Sequence, residues 1–432
     1  MDEAELPHAI ELLVGLLGLA VFVAILARPL RLPYTVALVI AGLAIGIIAA
    51  AAGVPSVPVS SDVVLLVLLP GLVFDAGYRL RFAELRRWFG GLGLLAVPGV
   101  VISAGIVAIV LNLGTGLRLD LAFVVGAMVS ATDPAAVVAT FKRLRVPHAL
   151  STLVDGESLL NDGTGLVLFA IALQIVVAPV GPGEAVLTFA GTVAISVAIG
   201  LATGVVAARV ISLVDDHLIE LTISVVLAYG SYMVADLFHL SGVIATVTAA
   251  VVLGNVGPGR ALTATGSDAI DTVWEFFAYL LTAVVFLLVG LAIPPLSLLD
   301  ALGPIIWAIV AILVGRAIVV YGLLGGISRL VPGPGLVEAV PTGWLHVLFW
   351  AGLRGAVAVA MALSLPADIP QRALLQEITF GVVLFTLLVQ ATTIGWVVDR
   401  TIGTTATDDA LTGAAPPGDA PTGDEPTVDP PA

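Results

Sequence analysis

Three short stretches of this chain carry polar residues in combinations for which a long apolar sequence has little structural use. The first is Thr132-Asp133-Pro134, set in Ala-Met-Val-Ser-Ala-Thr-Asp-Pro-Ala-Ala. Proline lacks an N–H, its ring opposes the carbonyl four residues back (Ser130), and it pushes the preceding residue out of helical dihedrals. A helix through here must break at Asp133. The break exposes the Thr132 hydroxyl, freed carbonyls and a carboxylate, hard oxygen ligands suited to an alkali cation or a proton. The bland alternative is a simple kink, with Asp133 capping the second half-helix.

The second stretch is Glu157-Ser158-Leu159-Leu160-Asn161-Asp162. Helical spacing stacks Glu157 on Asn161 and Ser158 on Asp162, each at i, i+4. A carboxylate taken out of water needs a counter-charge, and a proton or a small cation serves equally well. Asp162 can therefore trade one for the other. Alternatively, both acids simply neutralise Arg316 and Arg354, two bases that fall near the middle of apolar segments and need partners there. The third stretch is Gly352-Leu353-Arg354-Gly355, whose flanking glycines permit an unwound or tightly packed segment. Asp75 could extend a cation path or pair with Arg79 at i, i+4. His346 has the side-chain type that titrates near neutral pH, yet a lone interfacial histidine is usually no more than that. Asp236, His239, Asp271 and Glu275 read as solvated ends.

The elements that position these residues follow from composition. In 432 residues, 59% are hydrophobic and only 11% charged, whereas a soluble protein carries about 25% charged residues. The solvent for most of this chain is lipid. A crossing needs about 20 apolar residues, and that ruler places thirteen at about 8–28, 33–53, 62–79, 90–114, 119–141, 149–178, 184–213, 218–238, 241–256, 271–294, 303–328, 343–365 and 372–399. Asp162 then lies roughly 18 Å along its helix from Leu150, near mid-bilayer. Asp133 sits at a similar depth, where irregular backbone is tolerated only inside protein or beside water.

If the chain is two repeats of six crossings around a seventh, the broken twelfth corresponds to the broken fifth with opposite topology, a pattern that points to a transport site between inverted repeats. Asp133 would then offset N-terminal helix dipoles and Arg354 C-terminal ones. Orientation follows from the bases. Thirteen Lys and Arg, from Arg28 to Arg400, fall on one side, and only Arg118 and Arg372 on the other, which places the N-terminus outside. Acids rather than bases precede the first crossing, so it reads as a retained helix.

The net charge of −14 argues against nucleic-acid partners, which demand basic stripes. Six of the acids fall in the last 25 residues with no base among them, a composition expected of a disordered cytoplasmic tail over 401–432. With no Cys, a disulfide framework and a thiolate nucleophile are excluded. An intramembrane aspartyl protease would need a close dyad, usually within Gly-x-Gly-Asp. A passive channel would conduct without proton countertransport.

The runs Thr132-Asp133-Pro134, Glu157 through Gly163, and Gly352-Leu353-Arg354-Gly355-Ala356-Val357 resemble those of the monovalent cation:proton antiporter family, in the branch of NhaP-type and animal sodium/proton exchangers. The resemblance covers residues 8 to 399. It implies an all-α polytopic membrane protein with thirteen transmembrane helices, the fifth and twelfth broken. It further implies a six-helix core (about 90–178 and 303–399) moving as an elevator against a dimerising panel (about 8–79 and 218–294), joined by a linker helix (about 184–213), in a plasma-membrane homodimer.

On that resemblance Asp162 is the cation- and proton-binding carboxylate, and Thr132, Ser158, Asn161 and the chain at Asp133 complete the shell, with Na+ held at Asp162, Ser158 and Thr132. Asp75 matches an acidic position in the access funnel. Glu157 pairs with a core arginine, Arg316 or Arg354; Pro134, Gly352 and Gly355 mark the breaks. Asn161-Asp162 in place of Asp-Asp resembles the electroneutral branch exchanging one Na+ or Li+ for one H+, in sodium and pH homeostasis, without a cofactor. Potassium/proton exchange is the alternative.

Overall fold

The computed structural model describes residues 5–30, 32–53, 59–178, 180–256, 262–294, 297–330 and 339–402. The acidic tail expected from 401 onward lies, apart from Thr401 and Ile402, outside the described residues. The elements are helices: α1 (Glu5–Leu30), α2 (Tyr34–Ala51), α3 (Leu69–Arg79), α4 (Phe82–Thr115), α5 (Leu119–Met128), α6 (Ala135–Leu144), α7 (His148–Val177), α8 (Pro182–Ile211), α9 (His217–Leu237), α10 (Gly242–Val256), α11 (Ala264–Ala292), α12 (Leu302–Leu330), α13 (Thr342–Trp350), α14 (Ala356–Leu363) and α15 (Arg372–Thr401). Among the described residues, eight helices are long and apolar enough to cross a membrane. The chain is an all-helical, multi-pass membrane protein.

The apolar ruler started one crossing at residue 90, but α4 begins at Phe82. Its first two turns carry Glu84, Arg86 and Arg87 beside the buried Trp88. An amphipathic turn at an interface scores poorly as lipid-buried sequence while still folding as helix.

Three of the long helices widen locally into π-helical turns, at Leu95–Gly99 in α4, Ile318–Leu324 in α12 and Thr386–Gln390 in α15. Pro98 explains the first, because its missing N–H and bulky ring disrupt the ladder to the preceding turn. Within this turn, the Thr164 hydroxyl of α7 donates to Ala96 O at 2.7 Å. Such turns gather where helices carry functional groups, and all three surround the polar centre described below.

Lipid is as apolar as leucine, so helix association here relies on close packing and polar contacts rather than on the hydrophobic effect. Small residues permit that approach. Gly126 of α5 lies against the backbone of Ala104 in α4, where a β-carbon would overlap the carbonyl oxygen. Gly42 of α2 meets the Leu287 carbonyl of α11 in the same way. At the other extreme, α8 leaves Val186, Leu187, Leu201 and Val206 exposed, an apolar surface that only lipid or another apolar surface accommodates.

Candidate functional site

Two stretches of non-helical chain meet in the protein centre, residues 129–134 between α5 and α6 and residues 351–355 between α13 and α14. One backbone hydrogen bond ties them: Asp133 N donates to Leu353 O at 2.9 Å. The Asp133 carboxylate accepts from Ala135 N through Oδ1 (3.0 Å) and from Ala356 N through Oδ2 (3.5 Å). A single acid thus caps the positive N-terminal ends of α6 and α14. Arg354 does the converse. Its Nη1 donates to Ser130 O and, at 2.9 Å, to Ala131 O, the carbonyls left over beyond α5. The Arg354 main chain is pinned by the Thr386 hydroxyl, which accepts from Arg354 N at 3.0 Å.

Gly352 and Gly355 are needed for contact rather than for unusual dihedrals. A β-carbon at 355 would overlap the Asp133 carboxylate, and one at 352 would stand 2.9 Å from Arg316 Nε. Gly355→Ala is therefore expected to push the two stretches apart and destabilise the protein by about 1–3 kcal/mol. Thermal unfolding in detergent checks this, and an unchanged midpoint would mean that Asp133 yields freely.

Helix α7 supplies the rest. Glu157 and Arg316 form a bidentate ion pair, Nη1 to Oε1 and Nη2 to Oε2, the latter at 2.9 Å. Arg316 also donates to Leu348 O from Nε and Nη2 (3.2 and 2.7 Å). Of the two arginines left open as the partner of Glu157, it is Arg316 that pairs. At the next residue, the hydroxyls of Ser158 and Thr132 are hydrogen-bonded at 2.9 Å. Asn161 Nδ2 reaches Thr132 Oγ1 (3.3 Å) and Glu157 Oε1 (3.4 Å). These residues are buried, whereas Asp162 is half-buried.

Among the described residues, Asp162 makes no hydrogen bond or ion pair, although the charges of Asp133 and Arg354 lie within electrostatic reach. The site thus sets one unpaired carboxylate one turn from a hydroxyl pair, while Arg354 occupies the carbonyls of the broken helix. Divalent calcium favours 6–8 oxygen ligands including several carboxylates; one carboxylate with neutral oxygens suits a monovalent cation or a proton.

Two residues stand apart from this cluster. Asp75 pairs with Arg79 at 2.9 Å, and Arg79 also reaches Asp271 O at 3.4 Å. His346 lies exposed, its Nδ1 2.8 Å from the Tyr321 hydroxyl. Sequence reasoning missed Thr386 and the Leu348 carbonyl. For Thr386 a signal existed, since Thr386 and Gln390 are polar, spaced i, i+4, and set in an otherwise apolar run; for a backbone carbonyl there is none.

Residues 17–400 match the family described as sodium/hydrogen exchanger, transmembrane. The chain belongs to that family. The exchanger is 36% identical over 375 residues to the Na+/H+ antiporter ApNhaP of Aphanothece halophytica, covering 86% of this chain and 70% of that one. It is 35% identical over 396 residues to the Na+/H+ antiporter NhaH of Halobacillus aidingensis, covering 89% and 96%. In fold, the exchanger resembles the sodium proton antiporter MjNhaP1 of Methanocaldococcus jannaschii, with a TM-score of 0.73 at 21% identity over 92% of this chain and all of that one. Members of the family are secondary transporters that need no cofactor, so the exchanger is a transporter and not an enzyme.

Proposed function

We propose that the exchanger moves Na+, or Li+, against H+ with one-for-one, electroneutral stoichiometry, cation and proton competing for Asp162. The observation that carries this reading is the charge balance of the centre. Asp133, Glu157 and Asp162 are opposed by Arg316 and Arg354, and Asp162 is the acid without a partner among the described residues. Binding one proton or one monovalent cation there brings the buried set to neutrality, and a neutral set crosses low dielectric at least cost. The hydroxyls of Thr132 and Ser158 replace part of the ion's water shell. Sodium, rather than potassium, is favoured by the Na+/H+ antiporters to which the chain is similar.

The architecture that fits this exchange has thirteen crossings, two inverted six-helix repeats, and a core of about 90–178 and 303–399 that slides against a panel of about 8–79 and 218–294. The linker is α8, and the working unit is a homodimer in the cell membrane with the N-terminus outside and the tail in the cytoplasm. The Asp133–Leu353 tie and the shared cap on α6 and α14 join both halves of that core into one body. Such a body can carry its site past a fixed panel, exposing it to each side in turn. Asp75 stands at an entrance, and the physiological role is sodium and pH homeostasis.

Proteoliposomes test the proposal. An imposed acid exterior is expected to drive Na+ out of vesicles at a rate unaffected by clamping the voltage, with Li+ accepted and K+ transported poorly. Current under clamp, or exchange driven by K+ alone, would overturn the stoichiometry or the ion choice. Competition for one carboxylate adds a second expectation. Well below the site's own titration point the apparent KM for Na+ rises about tenfold per pH unit lost, while maximal flux holds. A flat KM over that range would separate the proton from Asp162.

A further inference from the structure

Between α4 and the polar centre lies a small cavity of about 10 Å3, whose lining includes Ser103 of α4, Ser130, Glu157, Asn161, Arg316 and Arg354. Its volume suits a single water molecule. Two of its lining side chains each have a buried polar atom with no protein partner, Asn161 Oδ1 and Arg354 Nε. Both residues are only 2% exposed.

The orientation of Asn161 is decided by its neighbours. Its Nδ2 faces Glu157 Oε1 and Thr132 Oγ1, and a flipped amide would set Oδ1 against a carboxylate oxygen. Arg354 is equally fixed, since Nη1 is held by Ser130 O and Ala131 O. One unmet group is therefore an acceptor and the other a donor. An anion would answer Arg354 and be repelled by Glu157; a cation would answer Asn161 and be repelled by Arg354 and Arg316. A neutral molecule of one heavy atom that both accepts and donates fits the pair.

We propose that this cavity is a permanent binding site for one water molecule, which accepts from Arg354 Nε and donates to Asn161 Oδ1. The water couples the arginine that holds the α5 carbonyls to the amide that grips Thr132. Every lining residue lies within the two segments assigned above to the sliding core, so the water travels with that core and belongs to the carrier rather than to the cargo. The site itself follows from the hydrogen-bond inventory and holds whatever ion is carried.

The test is electron cryo-microscopy of the full-length protein in lipid nanodiscs, at a resolution that shows ordered water, in inward- and outward-facing states. One density peak within hydrogen-bonding distance of both Asn161 Oδ1 and Arg354 Nε is expected in each state. Absence of the peak, its presence in one state only, or protein groups bonded to both atoms would overturn the proposal. Two variants give an independent reading. Ser103→Ala leaves room for the water and is expected to keep the unfolding midpoint within about 1 °C, whereas Ser103→Val fills the space and lowers it by about 3 °C or more. Equal midpoints overturn the site. Should Ser103→Val not assemble, the density in the unmodified protein decides alone, and sodium flux, measured separately, reports on the exchange reading without bearing on the water.

Discussion

Asp162→Asn is expected to reduce proton-driven Na+ flux to background while leaving the fold at least as stable. The two halves of that result have separate causes. A carboxylate attracts a cation about 4 Å away by about 4 kcal/mol at the effective dielectric of a partly buried site, which corresponds to nearly three decades in affinity. The amide keeps shape and oxygen but has neither charge nor exchangeable proton at neutral pH. Stability moves the other way, because Asp162 has no partner among the described residues and neutralising a half-buried, unpaired charge removes a desolvation cost. Flux in proteoliposomes and the unfolding midpoint in detergent measure the two. Persistent exchange in Asp162→Asn would remove this residue from the ion path. A loss of flux accompanied by collapse of the fold would mean that Asp162 is structural.

The second large effect concerns the Glu157–Arg316 pair and has the opposite signature. Glu157→Gln leaves the Arg316 guanidinium buried without its counter-charge and is expected to destabilise by about 3–5 kcal/mol. The Leu348 carbonyl still accepts from Arg316, which limits the damage without replacing a charge. Removing both partners, in Glu157→Leu with Arg316→Met, is expected to recover most of that loss, because well-packed apolar residues substitute for a buried ion pair at little net cost. Thermal or denaturant unfolding of the single and double variants checks this coupling. Additive losses in the double variant would show that the two side chains do not act as a pair.

These two acids, five residues apart on one helix, also show how far sequence reading reaches. Polar side chains in apolar runs are conspicuous, so Asp133, Glu157, Asp162, Arg316 and Arg354 were all visible as candidates, and Pro134 marked its own interruption through covalent geometry. Their pairing was not visible. Whether Glu157 meets Arg316 or Arg354 depends on how α7, α12 and the 351–355 stretch cross, and that is a tertiary fact with no periodic trace. The π-helical turns at Ile318–Leu324 and Thr386–Gln390 were invisible for a related reason, since nothing in an apolar run distinguishes a five-residue hydrogen-bond step from a four-residue one. The early start of α4 was missed because charged interfacial turns do not score as lipid-facing sequence.

Asp133 and Gly355 illustrate a constraint that reaches across the whole chain. The carboxylate of one caps a helix begun more than two hundred positions later, and the bare α-carbon of the other leaves room for it. Neither position can drift alone during evolution. Each interruption is completed by atoms of the other, so a substitution at one must be answered at the other or be lost with it.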